Sequence, residues 1–476
     1  MKVILTNIIE IQEPTKEILD YCKKELTFSN PDYIKKQRMG FWTGKTPKAI
    51  SLYDYYQGNI YLPIGCFNDI WEIHPYKEDY VDYTTTKKAD IKSNIILRDY
   101  QKPCTDALKK YVNGIFILFA GAGKTQIALQ CASELKQKTL FLVHTKDLLN
   151  QAKERCESNL ICKTSTITEG KCDTSGDIVF ATVQTLVNFV DKREISQNEF
   201  GLVVVDECHH LSTSAESVKM FEKCVNYFNA RYKLGISATL HRSDGLQNTT
   251  KKILGDVIYE LKKSEDKTKF IGYYENKPII EVPASMFQVP AQIHMLKTTF
   301  NVANKDVFDI SGRIVFSTLI SVLARDYDRN KLILDLLYRL HGYTIVISER
   351  TSQLEYLHEN IVNSIYINGK TPKKQREKQI EEFRNGNYAC LFATYSLVAE
   401  GLDIPILENL VMASPVKDER LVIQAIGRCQ RPSGDKKIAN VYDLVDDVSI
   451  LDKFTRKRKS VYKKEGWEII NGIREL

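Results

Sequence analysis

From about residue 91 onward, short apolar runs alternate with stretches whose apolar positions recur at helical spacing. The runs Ile115–Phe119, Thr139–Val143, Ile178–Ala181 and Leu202–Val205 are apolar almost throughout, as expected of strands buried on both faces of a parallel sheet. Between the first two, Gln126–Lys136 sets Ile127, Cys131 and Leu135 on one helical stripe. Repetition of strand, helix and strand predicts a doubly wound α/β unit. The alternation fades near Leu261, where the charged stretch Lys262–Lys269 reads as a linker or loop, and residues 270–320 read as an insertion or the approach to a second unit. It resumes with Thr344–Ser348, Ser364–Ile367, Ala389–Ala393 and Leu410–Ala413, which predict a second α/β unit. Residues 1–90 break the pattern. They are rich in Tyr and Trp, and Ala49–Pro63 reads as a hairpin turning at Gln57-Gly58-Asn59. The expected organisation is a small N-terminal α+β domain over 1–90, a first α/β domain over 91–262, and a second over 263–476 that begins with a linker or insertion.

Composition narrows the class without naming it. The chain has 476 residues, 43% hydrophobic and 27% charged, enough to bury several ordinary cores. A net charge of +7 is too mild to identify a nucleic-acid partner by itself. Eleven cysteines are scattered without a Cys-x-x-Cys pair, and Cys156, Cys162 and Cys172 lack zinc-site spacing. No structural metal is expected, and unpaired thiols suit a reducing compartment. The first residues lack a signal-peptide pattern, and no apolar run is long enough to span a membrane. A soluble chain of the cytoplasm or nucleoid, with no membrane partner, is the expectation.

Three segments carry chemistry. Phe119-Ala120-Gly121-Ala122-Gly123-Lys124-Thr125 follows an apolar strand and precedes a helix, the context of a phosphate-binding loop. Its glycines let backbone N–H groups approach phosphate oxygens, and the helix N-terminus adds partial positive charge. Lys124 supplies a mobile charge for the β and γ phosphates of ATP, and the Thr125 hydroxyl is a ligand for Mg2+. The general pattern has Gly at position 118, where this chain has Leu118. Downstream, Leu202–Val205 ends in Asp206-Glu207-Cys208-His209. A carboxylate at the end of a parallel strand faces the ligand crevice. Asp206 is expected to hold Mg2+ and Glu207 to polarise the attacking water. His209 and His210 are expected to couple and pack rather than bind a metal. The third segment runs from Gln424 to Arg431. Arg428 and Arg431, three apart, are expected to share a helix face and to stabilise charge on the γ phosphate.

These segments, in this order, resemble the superfamily 2 helicases over about residues 95–450. Leu97-Arg98-Asp99-Tyr100-Gln101 looks like the adenine-reading segment, with Gln101 as reader and Arg98 beside it. Val143–Leu149, which includes Thr145, resembles motif Ia, and Ala181–Thr185, which includes Thr182, resembles motif Ic. Ser237-Ala238-Thr239 matches motif III, Ile345–Arg350 motif IV, and Ala393-Thr394 with Glu400-Gly401-Leu402-Asp403 motif V. The resemblance implies two tandem RecA-like domains behind the small N-terminal one. It further implies nucleotide contacts from Gly121, Ala122, Gly123, Gly401 and Asp403, arginine fingers beside Gln424, and coupling through His209, Ser237 and Thr239. Thr145, Thr182 and Thr394 match positions that grip a strand by its phosphates, which positions a strand without reading its sequence. Motif II is not Asp-Glu-Ala-Asp, and Gln424–Arg431 lacks the RNA-directed form of motif VI. The pattern is more similar to the XPB-type and phage UvsW-type DNA helicases and to restriction motors. Arg242-Ser243-Asp244 differs from the XPB-type Arg-Glu-Asp at Ser243, and Phe119-Ala120 replaces the usual Pro-Thr or Pro-Cys.

The resulting expectation is an ATP-dependent DNA helicase or duplex translocase with 3′-to-5′ polarity, using ATP and Mg2+. It would act on single-stranded, forked or duplex DNA in repair, recombination or replication, with repair or replication proteins as partners. The alternatives are an RNA helicase and a non-unwinding, ATP-gated DNA-binding subunit of a restriction or repair complex. Two basic segments bear on the partner. Tyr33, Lys35, Lys36, Arg38, Phe41, Trp42, Lys45 and Lys48 mix aromatics with cations, either to stack unpaired bases or to form a hairpin core with a basic rim. Lys453, Arg456, Lys457, Arg458, Lys459, Lys463 and Lys464 form a cationic run that reads as a duplex-following segment or a solvated helix face.

Overall fold

The apolar runs lie at the centres of two parallel sheets. The computed structural model describes residues 1–119, 121–168, 170–209, 215–240, 247–302, 307–309, 312–400 and 404–475. Two units divide the chain: Met1–Lys262 with Phe270–Val282, and Lys263–Lys269 with Pro283–Leu476.

In the first unit, strands Asn113–Leu118, Thr139–Val143, Ile178–Thr182, Leu202–Asp206 and Tyr232–Ser237 form from runs of Ile, Val, Leu and Phe. Such residues are favoured where both sheet faces are covered. Across the sheet the order is Thr164–Thr168, Ile178–Thr182, Thr139–Val143, Leu202–Asp206, Tyr232–Ser237, Asn113–Leu118 and Val257–Lys263. The ladders between these neighbours are parallel. The stretch read as a linker or loop is a loop, the turn between the end of one strand and the start of the next. Strands Val257–Lys263, Lys269–Tyr274 and Lys277–Pro283 extend the sheet at its edge. The charged residues sit where the chain reverses, and a surface turn has the composition of a linker.

Residues 1–82 form a five-stranded sheet with helices Lys16–Glu25 and Phe67–Ile73 against it. The hairpin turns at Gln57 and Gly58, both at positive φ (49° and 84°), and joins Asp54–Tyr56 to Asn59–Pro63. Ala49–Ser51, expected in the same hairpin, pairs with Thr27–Ser29. This region has its own sheet but not its own core: Val3, Ile9 and Ile60 share one apolar cluster with Phe228, Ile253 and Leu254 of the α/β part. Gly65 shows how close the approach is. A Cβ there would lie 2.5 Å from the Gly255 nitrogen and the Lys252 carbonyl oxygen, so no larger residue fits without backbone movement. Lys252 Nζ also reaches Asp69 Oδ2 at 2.8 Å.

The second unit holds a seven-stranded sheet in the order Ser364–Ile367, Cys390–Thr394, Thr344–Ser348, Asn409–Met412, Ala439–Val445, Ala291–Lys297 and Glu468–Glu475, with parallel ladders. The poorly readable span therefore divides. Its start completes the first sheet, and Ala291–Lys297 enters the second. The cationic C-terminal run lies on helix Ser449–Glu465. Lys453, Arg456, Lys457, Lys463 and Lys464 are exposed on it. Arg458 departs from the expected surface role. It is 3% exposed and pairs with Asp443 at 2.8 Å, and Tyr462 donates to the same carboxylate. No helix among the described residues is long and apolar enough to cross a membrane.

Candidate active site

Sheet order brings the chemistry of the first unit to one edge. The strand ending at Ser237 lies between the one ending at Leu118 and the one ending at Asp206, with Asp206 opposite Ile236 and Ser237 opposite Ile117. The phosphate loop leaves the first of these strands and turns into helix Lys124–Leu135. Gly121 and Gly123 take φ of 93° and 81°, the left-handed region that a Cβ disfavours. Gly123 is the residue that caps this helix, and no side chain there occupies the first amides. A Cβ at Gly123 would also come within 2.6 Å of Gln101 Nε2.

Gln101 is buried against this loop. Its Nε2 donates to the Ala122 carbonyl at 2.8 Å, and its Oε1 accepts from the Arg98 backbone N–H at 2.9 Å. The Tyr100 hydroxyl donates to the same Ala122 carbonyl at 3.1 Å, a contact the sequence did not single out. Tyr100, Gln101 and the glycine-rich loop are thereby one hydrogen-bonded assembly.

A chain of contacts then crosses the edge. Lys124 Nζ reaches Glu207 Oε1 at 2.6 Å. Glu207 Oε2 lies 3.3 Å from His209 Nδ1, and that nitrogen is 2.9 Å from Ser237 Oγ. Ser237 Oγ donates to the Thr239 carbonyl at 2.8 Å. Glu207 adopts φ of 48°, uncommon for a residue with a Cβ and costing on the order of 1 kcal/mol or more. Burial alone would raise the Glu207 carboxyl, but the Lys124 ammonium, helped by His209, holds it well below the usual carboxylate range. Burial, and then the Glu207 charge beside it, push Asp206 upward. His144, another residue not singled out, is half-buried near Glu207 and His209, and its partial burial pulls its imidazole below the ordinary value.

Asp206 and Thr125 are both nearly buried oxygen donors, 8% and 7% exposed. A carboxylate and a hydroxyl at the phosphate end of the loop match the hard-oxygen preference of Mg2+. Thr125 Oγ1 accepts a hydrogen bond from Arg155 Nη1 at 3.2 Å. Sequence reading passed over Arg155, because it sits late in a charged helix, 30 residues from its partner.

Two of the expected strand-gripping threonines cap helices on the same sheet. Thr145 accepts from Leu148 N at the start of helix Lys146–Asn159, and Thr182 accepts from Thr185 N at the start of Val183–Asp191. Their strands are neighbours, with Val143 opposite Thr182. Both hydroxyls therefore serve their own helices.

In the second unit, Thr394 ends strand Cys390–Thr394, its hydroxyl 3.2 Å from Ser396 Oγ. Helix Glu419–Cys429 buries Val422, Ala425, Ile426 and Cys429, which leaves Gln424 and Arg428 off the buried face. Arg431 lies beyond this helix, whose cap is Gln430, so the two arginines flank its end rather than share one face. Gly401 and Asp403 lie outside the described residues, as do His210, Ala120, Leu402 and Arg242-Ser243-Asp244.

Residues 94–242 match the family described as "Type III restriction enzyme, res subunit". Residues 328–433 match "Helicase conserved C-terminal domain". The chain belongs to the superfamily 2 helicases. This helicase is 26% identical over 389 residues to "DNA 3'-5' translocase XPB2" of Sulfurisphaera tokodaii, covering 78% of its own length and 86% of that protein. It is also 26% identical over 484 residues to "Probable helicase D10" of Escherichia phage T5, covering 99% and 96%. In fold it resembles a fragment of a putative HsdR subunit of a type I restriction enzyme from Vibrio vulnificus, with a TM-score of 0.55 at 18% identity, covering 81% of this chain and 69% of that one. The helicase is an enzyme that uses a nucleotide and binds nucleic acid.

Proposed function

We propose that this helicase is a DNA-directed motor that hydrolyses ATP with Mg2+ and moves 3′ to 5′, separating or remodelling strands in repair, recombination or replication. The observation that carries the mechanism is the contact chain Lys124–Glu207–His209–Ser237. Without nucleotide, Lys124 neutralises Glu207. When phosphates arrive, the ammonium has a stronger partner, and Glu207 is released to orient and deprotonate water. His209 and Ser237 feel that release directly, which links hydrolysis to motif III. Thr125 and Asp206 would hold Mg2+, which when bound offsets phosphate charge. Gln101 orients the adenine. By the resemblance, Arg428, Arg431 and Gln424 would act on the transferring phosphoryl group, and Gly401 and Asp403 would contact the nucleotide. Helix N-termini at Thr145 and Thr182, and Thr394, would hold strand phosphates.

The choice of DNA rests on the motif II and motif VI sequences and on the DNA translocase among the relatives. Steady-state ATP hydrolysis should rise with single-stranded or forked DNA, and a forked duplex should be unwound. Stimulation by RNA alone would overturn the DNA reading. Stimulation by DNA without strand displacement would reduce the activity to tracking.

The exposed aromatic patch of the N-terminal region suits the same substrate. Trp42 is 88% exposed and Phe41 64%, and Lys35, Arg38, Lys45 and Lys48 are exposed around them. An aromatic hairpin core would not leave its largest rings in solvent. Stacking one base contributes about 1–3 kcal/mol. Trp42→Ala with Lys45→Ala should therefore weaken binding of a fluorescent single-stranded oligonucleotide at least tenfold. Unchanged affinity would assign the patch to some other contact.

A further inference from the structure

Cys156 and Cys162 lack the spacing of a zinc site, yet the fold brings their sulfurs to 3.8 Å. Cys156 is buried on the last turn of helix Lys146–Asn159, and Cys162, half-buried, follows strand Leu160–Ile161. The Leu160 N–H, at the helix cap, donates to the Cys156 carbonyl. Leu160–Ile161 then pairs with Lys92–Ser93. Backbone hydrogen bonds on both sides of the turn therefore set the contact between the two side chains.

A buried cysteine is ordinarily a small apolar filler. Two thiols in contact, one of them partly open to solvent, have chemistry available that a lone buried thiol lacks. The thiolate is the reactive form of cysteine. A hydrogen bond from the Cys156 S–H holds the Cys162 thiol below its ordinary range, against the effect of burial. The same bond, and then burial, keep the proton on Cys156. The pair is thereby polarised, with an accessible nucleophile in front and a protonated partner behind it. Joining them takes the sulfurs from 3.8 Å to the roughly 2 Å of a disulfide. Rotation about the two Cα–Cβ bonds covers that distance and leaves the backbone pairing in place.

We propose that Cys156 and Cys162 are a reversible redox site, oxidised by a peroxide to an intramolecular disulfide. The Cys162 thiolate attacks one oxygen of hydrogen peroxide, the O–O bond breaks, and the other oxygen leaves as water with a proton from solvent. Cys162 is then a sulfenic acid. The Cys156 sulfur attacks the Cys162 sulfur, the S–O bond breaks, and the hydroxyl leaves as water with the Cys156 proton. Two thiols and one hydrogen peroxide give one disulfide and two waters, and two electrons pass from sulfur to oxygen. Closing the ring keeps a second peroxide from carrying Cys162 to irreversible sulfinic acid, and a dithiol reduces the ring again.

The test exposes the full chain to hydrogen peroxide, blocks the remaining thiols with N-ethylmaleimide in denaturant, and weighs the tryptic peptides. Cleavage after Arg155 and Lys163 leaves both cysteines on one peptide, residues 156–163. That peptide should lose about 2 Da, the two thiol hydrogens, and take up no maleimide. After dithiothreitol it should take up maleimide at both cysteines. Its conversion should be at least about tenfold faster than oxidation of Cys172, a half-buried thiol that burial and nearby carboxylates push upward. Cys156→Ser should leave Cys162 as a sulfenic acid that dimedone labels, and Cys162→Ser should leave the buried Cys156 unreacted. Maleimide on both cysteines of wild type after Cys172 has been consumed would overturn the proposal. So would sulfinic acid on wild-type Cys162 in place of the ring.

Discussion

Glu207→Gln should leave nucleotide binding near its native strength and lower nucleic-acid-stimulated ATP hydrolysis by about three orders of magnitude, on the order of 4 kcal/mol in the barrier. The amide keeps the size of the carboxylate but cannot accept the proton of the attacking water. It also removes the charge that Lys124 faces at 2.6 Å. The ammonium then has no competing partner when phosphates enter, so nucleotide affinity should hold or rise. Lys124→Ala is a different lesion, because it strands a half-buried carboxylate without its cation and should lose binding itself. Equilibrium titration with a fluorescent ATP analogue, alongside steady-state hydrolysis, separates the two effects. Hydrolysis within tenfold of wild type in Glu207→Gln would mean that Glu207 only shelters Lys124 between turnovers, and that water is activated elsewhere.

What the sequence made legible follows from how local each signal is. Thr139–Val143 and Thr344–Ser348, buried at every position, match the observed strands residue for residue, and so does Ser364–Ile367, an edge strand with alternating burial. The phosphate loop and Asp206-Glu207 were legible because strand, glycine and charge lie consecutively in the chain. Features set by distant partners were not. Arg458 reads as one more surface cation until Asp443, on another element, draws it inward. Arg155 is invisible without Thr125. The N-terminal region looked separable because its composition changes near residue 90, yet it buries its sheet against the α/β part of the same unit, a fact carried by packing alone. Arg431 was placed on a helix face by its spacing from Arg428, and spacing cannot say that the helix stops at Cys429.

That shared core contains a charge whose removal should stabilise the protein. Lys233, on strand Tyr232–Ser237, is 0% exposed, and its Nζ donates to the Asn7 carbonyl at 3.0 Å. Burial pulls its pKa from 10.5 down to about 7. The unfolded chain keeps this proton up to about pH 10.5, and the folded chain releases it near 7. Between those values the unfolded state binds more protons, so stability rises with pH by up to about 1.4 kcal/mol per unit. Below pH 7 both states are charged, and the full burial penalty is present. Lys233→Met removes that penalty at the cost of about 1 kcal/mol for the lost hydrogen bond. The variant should be more stable than wild type by roughly 2–4 kcal/mol at neutral pH. Its advantage should shrink as pH rises and vanish near pH 10, where the remaining burial penalty no longer exceeds the bond to Asn7. Urea unfolding of both proteins at pH 7, 8.5 and 10 checks this. A wild type more stable at every pH would mean that the tie to Asn7 outweighs the desolvated ammonium. In that case Lys233, four residues before Ser237 on the same strand, would be the peg that fixes the N-terminal sheet to the strand that carries Ser237.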